Sequence, residues 1–134
     1  MRSSATLLTG DLCAALLANA AACGRAGHDP APIVKLFSPI GPATWLATEL
    51  HEDDTLFGLA DLGFGCPELG YFSLAEIARV RLPFGLRIER DPSFSTPHPL
   101  SAWTAAARAH GSIQVAEAWL RTRAHPLPSR HRDG

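Results

Sequence analysis

Seven carboxylates fall between Thr44 and Ala78, with no lysine or arginine among them. Three of them, Glu49, Asp61 and Glu68, are the residues whose chemistry is worth weighing first. If their oxygens converged they would suit Mg²⁺ or Mn²⁺ and metal-assisted phosphodiester hydrolysis of a nucleic acid or nucleotide. Their spacing, however, matches no helical i, i+3 or i, i+4 metal motif. Glu76 has a structural task in a helix cap, and Asp61 can satisfy backbone amides of the glycines that follow it. The chain therefore reads as leaning away from an enzyme, with no metal site and no cofactor, and Asp61, Glu49 and Glu68 as its weak catalytic candidates.

Other reactive residue types are placed poorly for chemistry. Gly63-Phe-Gly65 with Gly70 precedes a helix start, where backbone amides can cradle phosphate. Pro67 removes one such amide and Glu68 repels an anion, so a structural turn is expected. Cys66 lies in the same acidic stretch, whereas catalytic cysteines occupy electropositive surroundings. Cys23 and His28 lack the partner set that a structural zinc needs. His51, His98, His110, His125 and His131 fall in expected turns or tail and read as solvated.

The charge partition carries more. Glu52, Asp53, Asp54 and Glu68 form the acidic surface expected to bind a protein partner through a basic patch. An exposed aromatic beside it, from among Trp45, Tyr71, Phe72 and Trp103, would strengthen that reading. At the other end of the chain Arg121, Arg123, Arg130 and Arg132 could touch phosphate weakly and without sequence preference.

The elements that must position these residues follow from patterning. Thr9 is an N-cap candidate for a helix over 10–22. Residues 33–37, 43–50 and 55–62 read as strands joined by short turns, which favours an antiparallel meander. Ser73-Leu-Ala-Glu76 is a capping box that starts a helix to about Val80. Residues 86–90 read as a fourth strand, a helix from Pro99 or Ser101 stops at Gly111, and a last helix runs from Ile113 to Arg123. The fold class is α+β: a small, mostly antiparallel sheet of about four strands, packed against helices on one side.

At 134 residues, 46% apolar and 19% charged, the chain suits one globular domain. That domain is expected over 1–124, with 125–134 as a basic, disordered tail. A net charge of −1 gives no global field for nucleic acid or an anionic membrane. Three cysteines leave one unpaired in any disulfide scheme. Cys13 and Cys23 on one helix would stand about 15 Å apart, too far to bridge. Reduced thiols and a cytoplasmic setting are expected, and neither export nor a membrane span.

From Pro32 to about Ile113 the chain resembles a bacterial family known as domain of unknown function 2958. Ile33-Val-Lys-Leu-Phe37, Thr44-Trp-Leu-Ala-Thr-Glu49, Phe57-Gly-Leu-Ala-Asp-Leu-Gly63, Pro67-Glu-Leu-Gly70, Ser73-Leu-Ala-Glu76 and Glu89-Arg-Asp91 carry the resemblance, in order. It implies an accessory protein of plasmids, integrated conjugative elements or phage-related regions, and brings no catalytic or binding residue with it. The combined expectation is a non-enzymatic interaction module of bacterial mobile elements with an accessory or anti-defence role. The alternatives are the metal-dependent hydrolase and nucleic-acid binding through the arginine tail.

Overall fold

The computed structural model describes residues 7–123 and 125–129. Thr9 caps α1 (Gly10–Ala21), its Oγ1 accepting the Leu12 amide at 3.3 Å, and Asp11 sits in the first turn. Both satisfy the positive end of the helix. Four strands then form a meander: β1 (Val34–Phe37), β2 (Thr44–His51), β3 (Thr55–Asp61) and β4 (Glu68–Ser73), each antiparallel to the next. Ser73 leads into α2 (Leu74–Arg79), its Oγ accepting the Glu76 amide at 3.1 Å. After a 3₁₀ turn at Pro83–Gly85 the chain returns as β5 (Glu89–Arg90), antiparallel to β1, and ends in α3 (Leu100–His110) and α4 (Ile113–Leu120).

The fold is α+β, with one five-stranded sheet in the order β4-β3-β2-β1-β5. The expected count of about four falls short by β4. Its sequence hides the strand: Gly70 is a poor β-former, and Pro67 and the glycines before it read as continuous loop. Gly70 is tolerated because it pairs with Gly58, a second residue without a side chain.

Helices cover both faces of the sheet, not one. Alternation along β2 sends Trp45 and Ala47 into a core with Leu16 of α1 and Leu74, Ile77 and Ala78 of α2. Leu46 goes to a second core with Leu100, Trp103, Ala106 and Ala107 of α3 and Ile113, Ala116 and Leu120 of α4. A strand buried on both faces loses the apolar–polar alternation of a half-solvated one. Every residue of β2 except His51 is buried. That is why its inward face could not be read from the pattern.

The segment expected as a free tail is, through Ser129, laid against the fold. Leu127 packs on the α3–α4 core and its amide donates to His98 Nδ1 at 2.9 Å. Arg130 and residues 131–134 lie outside the described residues.

Candidate functional site

The register of β2 on β3 shifts between Ala47 and Glu49. Such a bulge inserts one extra residue, here Thr48, and re-aims the side chain after it. Strict alternation would set Glu49 beside Trp45 and Ala47. Instead Leu50 rejoins their core, and Glu49 stands opposite Phe57, on the α3 face. The displaced groups find partners: the Thr48 hydroxyl donates to the Phe57 carbonyl at 3.3 Å, and Asn19 of α1 donates to the Thr48 carbonyl at 2.9 Å. Gly58 faces this irregularity. A Cβ there would lie 1.8 Å from the Leu46 carbonyl oxygen, so the close approach of the two backbones demands glycine.

Glu49 is 5% exposed and held between two imidazoles. Its Oε2 is 3.0 Å from His28 Nε2 and its Oε1 is 2.8 Å from His51 Nε2. A buried carboxylate is costly unless its oxygens accept hydrogen bonds. Toward an ionised carboxylate, which only accepts, each Nε2 acts as the donor. The His51 ring meets Tyr71 edge-on at 5.7 Å, and Tyr71 in turn leans on Phe57 at 5.0 Å. Glu49, His28, Phe57 and Tyr71, together with Arg25, Leu69 and Ser101, line an open cleft of about 350 Å³ between the sheet and the start of α3.

Asp29, on the cleft wall, fastens α3. Its Oδ1 accepts the Ser101 amide at 3.1 Å, and its Oδ2 accepts the hydroxyls of Ser101 and Ser129. The N-cap of α3 is Pro99, which makes no side-chain cap bond. Asp29 therefore supplies from the α1–β1 loop the acceptor that a local cap residue would give.

The three candidate acids are not brought together. Asp61 is 1% exposed; its Oδ1 accepts the Gly63 amide and its Oδ2 the Ile113 amide, both at 2.9 Å. It shares the α3–α4 face with Glu49 but lies four residues further along β3 than Glu49's partner Phe57, roughly 13 Å away. Glu68 is exposed and pairs with Ala60, whose side chain joins the opposite core. Among the described residues no group of three or more His, Cys, Asp or Glu is arranged to hold a metal ion.

The acidic hairpin tip is well defined. The Thr55 amide donates to the Glu52 carbonyl at 3.3 Å across Asp53 and Asp54, whose φ values are 58° and 55°. Two consecutive left-handed residues make a type I′ turn, the form that suits strand twist and usually takes Asn-Gly. The Asp54 carbonyl also accepts the Leu74 amide at 2.9 Å, which ties the tip to the start of α2. Glu68 does not belong to this surface, because five residues of β3 separate its partner Ala60 from Thr55, about 17 Å.

His51 and His98, expected to be solvated, have structural partners, and so does His28. His28 and His51 hold Glu49. His98 is 3% exposed and lies with Nε2 3.3 Å from the Leu120 carbonyl, bridging α4 to Leu127. One signal was present: Glu49 and His51 stand at i, i+2 in a strand, the spacing of one face. His28 comes from a loop 21 residues earlier, and no spacing rule reaches it. Of the arginines, Arg121 is 3.4 Å from Glu117 and Arg123 lies 4.1 Å over the Trp119 ring. Cys13, Cys23 and Cys66 are free thiols.

These features define an α+β domain: a five-stranded antiparallel sheet between two helical layers, with an imidazole-held carboxylate in an open cleft. The chain belongs to the family described as protein of unknown function (DUF2958), whose model matches residues 7–114. The match takes in α1, all five strands, α2 and α3. No match to the chain is found among the curated proteins or among the solved structures. No described helix is long and apolar enough to cross a membrane.

Proposed function

We propose that the protein is a non-enzymatic interaction module that docks a basic protein partner through Glu52, Asp53 and Asp54 at the hairpin tip and the adjacent Tyr71. One observation carries this reading: Tyr71 is 67% exposed and packs against His51, the residue immediately before Glu52. An aromatic anchor beside a charged rim is the usual composition of an interface hot spot. The turn supports it. Left-handed backbone costs a non-glycine residue about 1 kcal/mol or more, and this tip spends that twice while keeping two exposed carboxylates. Glycine would relieve the strain and delete the charge.

The carboxylates steer the partner, and the ring supplies contact area on arrival. The biological setting inferred here, an accessory or anti-defence role in bacterial mobile elements, rests on family context alone. A cytoplasmic location accords with the three free thiols. The test is capture from the native host with wild-type protein and with two variants, Glu52→Lys/Asp53→Lys/Asp54→Lys and Tyr71→Ala. A partner lost from both variants fits the reading. A partner retained by the charge reversal removes it.

A further inference from the structure

The sheet ends asymmetrically. β5 is two residues long, whereas β4 presents six residues, and among the described residues no strand pairs with its outer side. Soluble proteins ordinarily blunt such an edge with proline, lysine, a bulge or a covering element. β4 contains neither proline nor lysine, its pairing with β3 is unbroken from Glu68 to Ser73, and Leu69 and Tyr71 are exposed along it.

Its free hydrogen-bonding groups can be assigned. The Leu74 amide donates to the Asp54 carbonyl at 2.9 Å, so this position points toward β3. Direction alternates along an antiparallel ladder. Phe72 and Gly70 therefore also face β3, and Leu69 and Tyr71 turn their N–H and C=O groups outward. The side chains of these two residues line the cleft, on the α3 face. At one end of the strand stand the tip carboxylate Asp54 and the exposed Glu76, and at the other stands Glu68.

We propose that β4 receives an extended segment of a protein partner by strand addition, and that this segment carries basic residues at both ends of a β-branched or apolar centre. The inference rests on the acidic docking surface above and names its mode. Main-chain bonds to Leu69 and Tyr71 give the segment its register, and alternate side chains pack on the Leu69 and Tyr71 side chains. The charge complementarity is specific in length. Six residues of strand span about 20 Å, so the two basic ends fall five or six residues apart.

The probe is a capped, fluorescein-labelled octapeptide with two arginines at each end and alternating valine and threonine between, compared with its glutamate-ended counterpart. Expected is binding of the basic peptide alone, with slowed amide hydrogen exchange at Leu69 and Tyr71. Leu69→Pro deletes an outward amide and leaves the β3 ladder intact, since edge strands accept proline. It should weaken binding at least tenfold, against less than threefold for Leu69→Ala, which keeps the amide. Absence of binding, equal binding of the two peptides, or unchanged exchange at Leu69 and Tyr71 overturns strand addition, and the exchange measurement on wild-type protein decides the matter should Leu69→Pro not fold. If the peptide fails while the lysine reversal still abolishes partner capture, acidic docking survives and only its strand mode falls.

Discussion

Asp61 and Glu49 are both buried carboxylates on the same face of the same sheet, yet they have opposite characters. Asp61 is closed off: its two oxygens take the amides of Gly63 and Ile113, pinning the β3–β4 loop to the start of α4. Glu49 is held by His28 and His51, and together with His28 it lines an open cleft. Backbone amides are fixed in place by the chain, whereas imidazoles sit on side chains that can change rotamer. The contrast separates a carboxylate enclosed by backbone amides from one that side chains hold at a cleft wall.

The severest way to break this comparison is Gly58→Ala. The 1.8 Å approach to the Leu46 carbonyl leaves the methyl no room, so the bulge must open and Glu49 loses its aim. A loss of about 3 kcal/mol or more is expected in chemical denaturation, with the ring signals of His28 and His51 moving together. Asp61→Ala comes next. It leaves the buried Ile113 amide and the part-buried Gly63 amide without their acceptor and should cost about 2–4 kcal/mol, while the signals of the two histidines stay in place. Glu49→Gln keeps the shape but supplies only one acceptor oxygen, so about 1–2 kcal/mol is expected. One imidazole should detach in the NMR spectrum. Movement of those rings in Asp61→Ala, or none in Glu49→Gln, would erase the distinction.

The smallest effect has the opposite sign. Asp53→Gly places glycine at a φ of 58° and should stabilise the protein by about 0.5–1 kcal/mol. If the tip is a docking element, partner capture should fall as stability rises. A variant that gains stability and keeps its partner would show the turn to be merely strained.

Much of the fold was legible because its signals are local. Thr9, Ser73 and Gly111 mark helix ends through contacts within a few residues, and each sits where such punctuation belongs. The role of Asp61 toward the glycine loop was also within reach, since Gly63 is two residues away. What escaped depends on register. The bulge at Thr48 reverses the face of everything after it in β2, and a one-residue slip is invisible to a period-two reading. The Glu49 cluster needs that slip together with a histidine from the α1–β1 loop, and His98 needs Leu127 from beyond α4. The strand β4 was masked by the glycine that its partner Gly58 makes tolerable.

The unequal sheet edges have one further consequence, which concerns valence. Open-ended assembly by strand pairing requires two competent edges per molecule, so that each copy both gives and receives. Here β5 is two residues long and β4 six. A molecule so built can close one pairing and pass nothing on. If β4 accepts a strand as proposed, a sheet that this molecule joins should end there, and the expected stoichiometry with the strand donor is one to one.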